Sequence, residues 1–156
     1  MKNLLNGIFA LDGGILIGLA LGEKEFNSLK DHLIKEEVIG LTHELALTEL
    51  LYIICRKTSL NIALEKLRYL KLSGFIEIIP TSELMEEASQ IKCRRSIALP
   101  DCFTLALARI YNGTAIFTKL EKEIKREIER EAFKVDIVFL LDRKMVKKEE
   151  KNIIDI

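Results

Sequence analysis

The chain has 156 residues, of which 49% are hydrophobic and 31% charged, enough apolar content for a packed core and too much for a disordered chain. Its 24 basic residues balance 24 acidic ones, which excludes a wholesale polyanion binder and a chain dominated by an acidic tail. The length fits one domain, and 8 glycines and 2 prolines exclude collagen-like and low-complexity classes.

The opening apolar stretch, Leu4 to Leu21, follows Lys2 and is interrupted by Asn6, Gly7 and Asp12. It is too short for a membrane span of ~20 residues, and no small-residue cleavage site follows. It reads as a buried strand, Ile8–Leu11, entering a helix that Gly22 closes. Asn27–Glu37 has helical spacing with Leu29, Leu33 and Ile34 on one face. Val38–Leu41 reads as a short buried strand, with Thr42 as the cap of the next helix. That helix carries Leu45, Glu49, Tyr52 and Arg56 at helical intervals. Thr58 or Ser59 starts another, which Gly74 ends.

Phe75–Ile79 is strand-like and stops at Pro80, and Ser82 is expected to cap a helix through Ile91. Leu99–Tyr111 is helical, with Pro100 in its first turn and Gly113 beyond its end. Ala115–Phe117 is a short strand. Glu121–Glu131 reads as a charged, solvated helix, and Thr118 with Glu121 as its capping box. Val135–Leu141 is the last expected strand, and 143–156 a charged tail, frayed or helical. Cys55, Cys93 and Cys102 are an odd set at no metal-ligand spacing, which points to free thiols in a cytoplasmic protein. His32 and His43 have no ligand spacing either.

Short strands apolar on both faces, separated by helices, belong to parallel sheets covered on each side. The expected fold is therefore α/β: a three-layer α/β/α sandwich with a mainly parallel central sheet of about five strands. It forms a single domain over residues 1–142, followed by the tail 143–156. Ligands of such sheets sit beyond the carboxyl ends of the strands. Asp12 follows the first strand. Glu49 lies in the otherwise nearly apolar run Ala46–Cys55, where a carboxylate is costly unless paired or metal-bound. Asp101 opens an apolar helix, and Glu121 and Glu123 follow a late strand. Each has a plain alternative as cap, ion-pair partner or solvated charge. Converging together without basic partners, they need a cation, and all-oxygen sites suit Mg²⁺ or Mn²⁺.

Four blocks carry a resemblance to a known family. They are Phe9-Ala-Leu-Asp12 with Ile15-Leu-Ile, Leu47-Thr-Glu49 through Arg56, Leu99-Pro-Asp101 through Ala108, and Ala115-Ile-Phe-Thr118 with Glu121-Lys-Glu123. In order and spacing they resemble PIN-domain ribonucleases, of the kind found as the toxin of VapBC toxin–antitoxin pairs. The likeness spans about residues 7 to 142. It implies an α/β/α sandwich and an acidic cluster holding Mg²⁺ or Mn²⁺, at which RNA phosphodiester bonds are hydrolysed. Asp12, Glu49 and Asp101 match the three principal acids, Glu121 the fourth, and Glu123 assists. Bound ions of this kind acidify a water and steady the leaving oxygen. Two departures stand out. Gly13 and Gly14 occupy places where the family has a small hydroxyl or amide residue, and Leu120 stands where its fourth acid is common.

The resemblance also implies an RNA substrate, a small antitoxin partner and a homodimer or higher oligomer. Lys92, Arg94, Arg95, Lys119 and Lys122 are candidates for phosphate contacts. Broad apolar faces at Lys24–Lys35 and Thr58–Ser73 suit protein partners. Because of Gly13, Gly14 and Leu120, a catalytically degenerate PIN domain that only binds is an alternative, as is a housekeeping RNA-processing nuclease. A receiver-like signalling module would need a phosphoacceptor aspartate after the third strand, where the chain instead reads Ile79-Pro80-Thr81.

Overall fold

Strands that are apolar on both faces must be covered on both faces, and that requirement organises the molecule. The computed structural model describes residues 7–156; Lys2 and the Leu4–Asn6 part of the opening apolar stretch lie outside the described residues. Five strands run parallel: β1 (Gly7–Leu11), β2 (Val38–His43), β3 (Ile76–Ile79), β4 (Thr114–Phe117) and β5 (Asp136–Phe139). Two more, β6 (Lys144–Val146) and β7 (Ile153–Asp155), add antiparallel, giving the order β3-β2-β1-β4-β5-β6-β7. The central strand β1 sets Ala10 between Leu41 of β2 and Ala115 of β4.

Among the described residues seven α-helices cover this sheet: α1 (Gly13–Leu21), α2 (Asn27–Ile34), α3 (Glu44–Lys57), α4 (Leu60–Ser73), α5 (Thr81–Arg94), α6 (Leu99–Ile110) and α7 (Lys122–Arg130). Alternation along β1 divides the core. Phe9 and Leu11 pack with Leu16, Leu50 and Ile54 on the α1–α3–α4 side. Ala10 packs with Leu84, Leu105 and Ile128 on the α5–α6–α7 side. The expected three-layer sandwich is therefore the one observed, with more strands than the five anticipated.

The extra strands come from residues 143–156, which are neither frayed nor helical. Arg143 takes a left-handed φ of 50° and turns the chain back beside β5. Met145 and Val146 are then buried, and Ile156 N–H donates to the Arg143 carbonyl at 2.9 Å. Charged neighbours mask two core residues in the sequence.

At three helix starts the expected cap does not form, and at two of them a longer-range partner takes its place. Thr42 is the penultimate residue of β2, and His43 caps α3, its Nδ1 accepting from Ala46 N–H at 3.2 Å. The α5 helix starts at Thr81 rather than after Ser82, and Thr81 N–H donates to Glu44 Oε2 at 2.7 Å. At α7 the Thr118–Glu121 box does not form; Glu121 holds the N-cap position without a side-chain cap bond, while Leu120 N–H donates to Asp142 Oδ2 at 2.7 Å. Ser59 caps α4 as expected, accepting from Ile62 N–H at 3.2 Å.

Nor is α7 wholly solvated. Ile124 and Ile128 are buried, and so is Glu127, at 4% exposure. Its carboxylate accepts from Arg130 at 2.7 Å and from Ser96 N–H at 3.2 Å, with Arg95 at 3.6 Å. Arg95 also donates to the carbonyls of Glu127, Glu131 and Ala132, and lies 3.8 Å from the Phe133 ring centre. This cluster ties the α5–α6 connection to the end of α7. Arg130 and its hydrogen bond hold the Glu127 carboxyl below its ordinary pKa of 4.5. The stabilisation is therefore complete above pH 4.5 and is lost as pH falls through the lower, folded value. Glu127→Ala should cost about 2 kcal/mol at neutral pH, less than a fully buried pair because Arg130 is half exposed. Denaturant melts at pH 7 and pH 3 should show the gap between variant and wild type closing in acid.

Candidate active site

Asp12 is the first residue after β1, and its backbone N–H still follows the sheet, donating to Ile116 O at 3.1 Å. It is also the N-cap of α1, Oδ2 accepting from Gly14 N–H at 3.4 Å. Its other oxygen, Oδ1, is buried and has no hydrogen-bond partner among the described residues. A buried carboxylate oxygen without a donor is costly and calls for one. Burial raises the Asp12 pKa from 3.8 to about 6 even though the Gly13 and Gly14 amides pull it down, and the Glu121 charge adds to the rise.

Glu49 reaches the same place from α3. Ala46, Leu47, Leu50 and Ile54 hold that helix against the core, leaving Glu49 at its half-buried margin. It does not pair with Arg56, whose guanidinium lies 5.1 Å from the Tyr52 ring centre. Burial, then the charges of Asp12 and Glu121, push Glu49 from 4.5 up to about 7.

The two glycines after Asp12 have a steric cause. A Cβ on Gly13 would fall 2.5 Å from Glu49 Oε2, and one on Gly14 would fall 2.9 Å from Thr118 Cγ2 and 3.1 Å from its Oγ1. Space that a small hydroxyl residue would fill is taken by the Glu49 carboxylate and by the Thr118 side chain. The departure at Gly13 and Gly14 is therefore matched by what packs over it.

Asp101 stands in the first turn of α6, just after Pro100. A helix N-terminus alone lowers a carboxyl pKa. Here burial and repulsion prevail, and Asp101 rises from 3.8 to about 8, through burial first and then the charges of Asp12, Glu121, Glu49 and Glu123. Glu121 and Glu123 are exposed at the start of α7, within electrostatic reach of Asp101. Leu120 is partly buried against the core, so the position where an acid is common in the family points inward, and the acid follows one residue later.

Asp12, Glu49, Asp101 and Glu121 thus come within electrostatic reach of one another at the carboxyl edge of the sheet, where β1 and β4 end and α3, α6 and α7 begin or pass, while Glu123 reaches Asp101 alone. Among the described residues no ion pair reaches any of them. Nor do any three close into a finished metal cage among those residues; the set is open. The donor chemistry fits a hard divalent cation, since every ligand offered is a carboxylate oxygen and one is buried and unpartnered among the described residues. Of the expected phosphate contacts, Arg95 is spent on the Glu127 cluster, and Lys92 Nζ donates to Ile97 O at 2.6 Å. Lys119 and Lys122 are exposed beside Glu121. A cleft of about 820 Å³ between α5 and residues 131–135 lies away from the acids.

Three polar residues that were not among the expected site residues sit beneath this edge. Thr42, His43 and Thr104 are each fully buried. The only linear trace of Thr104 is a hydroxyl one helical turn after Asp101, on the apolar side of α6.

The sequence matches the PIN domain over residues 9–140, and the chain belongs to that family. No curated protein matches it. Among solved structures it is similar to VapC20 of Mycobacterium tuberculosis, a sarcin-ricin-loop-cleaving toxin, at 17% identity and a TM-score of 0.57, covering 77% of this chain and 94% of that one. It is also similar to VapBC2 of Rickettsia felis bound to a promoter DNA fragment, at 18% identity and a TM-score of 0.53, covering 72% and 88%. At these identities the likeness speaks for the fold. Among the described residues no helix is long and apolar enough to cross a membrane.

The raised proton affinities have a direct consequence for stability. The folded, metal-free protein binds protons at these carboxyls more tightly than the unfolded chain does, so it loses stability as pH rises from 3.8 towards about 8. Asp101→Asn removes one member of the repelling set. Scanning calorimetry without divalent ions should place its melting temperature a few degrees above wild type at pH 8, with the difference vanishing near pH 4.

Proposed function

We propose that the chain is a metal-dependent endoribonuclease, of the toxin type of toxin–antitoxin pairs, hydrolysing RNA phosphodiester bonds at the Asp12–Glu49–Asp101–Glu121 cluster. The observation that carries this reading is Asp12 Oδ1, buried among carboxylates that repel it, without a donor and without a neutralising cationic side chain among the described residues. Mg²⁺ or Mn²⁺ would supply Lewis acidity towards the scissile phosphate and a water acidic enough to attack it.

The chain's own groups divide the remaining work. Asp12 and Asp101, the more enclosed pair, are the direct ligands. Glu49, at the half-buried margin of α3, stands where it would hold an ion or orient the attacking water. Glu121, with Glu123 behind it, has the longer arm and greater exposure suited to a second ion or an intervening water. Lys119 and Lys122 flank the acids and can hold phosphates on either side of the scissile bond.

A protein partner is part of this proposal. Helix α4 exposes Leu60, Leu64, Tyr69 and Leu72, the last at 73%, and α2 leaves Ile34 uncovered. An antitoxin segment or a second copy of the chain would cover such faces, and the neighbour from Rickettsia felis is named as a VapBC assembly. Toxin function places the protein in the cytoplasm, with its RNA target. The open ligand set and the exposure of Glu121 favour one rival, a degenerate PIN domain that binds without cutting. A housekeeping processing nuclease shares the chemistry and differs in lacking an inhibitory partner.

On mixed structured and single-stranded RNAs, wild type should cut with Mg²⁺ or Mn²⁺ and stop on addition of EDTA. Asp12→Ala should fall by about 100-fold or more. Cleavage that survives both EDTA and Asp12→Ala would reject the proposal, and metal binding without cleavage would select the degenerate rival.

A further inference from the structure

The β2–α3 junction is unusual in being polar and completely buried. Thr42 and His43 end β2, each with 0% exposure, and point to opposite sides of the sheet as consecutive strand residues must. Thr42 Oγ1 donates to Leu11 O at 3.0 Å, gripping the residue before Asp12. His43 faces α6. Its Nδ1 accepts from Ala46 N–H at 3.2 Å, so in the neutral ring the proton is on Nε2. Nε2 lies 2.9 Å from Thr104 Oγ1 and therefore donates to it. Thr104 in turn donates to Pro100 O at 3.3 Å.

The bonds run in one direction, from the first turn of α3 through an imidazole and a hydroxyl to the residue before Asp101. No other proton arrangement satisfies all three, because a doubly protonated ring would turn Nδ1–H against Ala46 N–H. Burial, opposed by the Glu44 charge, lowers His43 from 6.5 to about 4, in keeping with a ring that stays neutral. The Phe103 ring, 5.8 Å away centre to centre, closes the side of the imidazole.

We infer that His43 is a positioning residue: through Thr104 it fixes the start of α6, and with it Asp101, against the start of α3, and with it Glu49. Two carboxylates that repel each other will part unless the backbones beneath them are tied. The tie lies under the acids rather than among them, so it holds them without neutralising them. Thr42 does the same for Asp12 on the other side of the sheet. The junction Thr42-His43 is thus the common anchor of the three principal acids. This inference rests on the cluster being a cation site.

The test uses the full chain and Mn²⁺ as probe, with affinity read by titration calorimetry and the tie itself read by nitrogen-15 NMR of the imidazoles. Thr104→Val keeps the shape and removes the hydroxyl; Thr104→Ser keeps the hydroxyl. Thr104→Val should bind Mn²⁺ about tenfold more weakly, as losses of groups that orient ligands do. Thr104→Ser should restore wild-type affinity. His43→Asn keeps a capping acceptor for Ala46 but cannot reach Thr104, and should weaken binding to the same degree as Thr104→Val. The double variant should be no weaker than either single one. His43→Asn also serves where Thr104→Val does not fold. A neutral His43 carrying its proton on Nε2 is expected in wild type. Wild-type Mn²⁺ affinity in Thr104→Val and His43→Asn, with only their melting temperatures lowered, would overturn this inference and leave the cation site standing. Absence of Mn²⁺ binding by wild type would overturn both.

Discussion

Asp12, Glu49 and Asp101 are held at the same edge of the sheet against their own repulsion, and the rest of the structure is arranged around that cost. Their elevated proton affinities, about 6, 7 and 8, are the imprint of burial and of each other's charge. No cationic side chain relieves them among the described residues. An isolated chain would not gather such groups. Apolar burial on both sides of β1 does it, by bringing the ends of β1 and β4 and the starts of α6 and α7 to one edge.

The supports are of two kinds, steric and polar. Gly13 and Gly14 leave the first turn of α1 bare, so that the Glu49 carboxylate and the Thr118 side chain can lie where Cβ atoms would otherwise be. Beneath them run the polar ties, Thr42 to Leu11 and His43 through Thr104 to Pro100. Glu127 on α7 and Arg95 at the end of α5 brace the connection that leads into Asp101. What looked in the sequence like the loss of a family hydroxyl at positions 13 and 14 is, in the fold, a space exchanged for two other side chains.

The parts legible in the sequence were those with a local signature. Asp12 follows an apolar run and precedes two glycines; Glu49 is the lone charge in the run Ala46–Cys55; Asp101 follows a proline at a helix start. The parallel sheet was legible for the same reason, since short apolar runs alternate with helical spacing. The illegible parts depend on residues far apart in the chain. His43 and Thr104 are separated by 61 positions, Ser96 and Glu127 by 31, Glu44 and Thr81 by 37. The capping box at Thr118 and the cap at Ser82 were good local readings that longer-range partners displaced. β6 was hidden because Met145 and Val146 stand among lysines, and because its turn uses Arg143 at a φ usually left to glycine or asparagine.

In the proposed cation site, repulsion among the acids and affinity for the ion would be two sides of one arrangement, joined by proton release. Carboxyls with pKa values of about 6 to 8 are partly protonated at pH 7, and a cation that binds them must displace those protons. Mn²⁺ titration calorimetry at pH 7, repeated in buffers of different ionisation enthalpy, measures that release directly. Release of about one proton or more per site is expected at pH 7, falling away by pH 9. Binding with no proton release at pH 7, or release unchanged when Asp101 is replaced by asparagine, would contradict it.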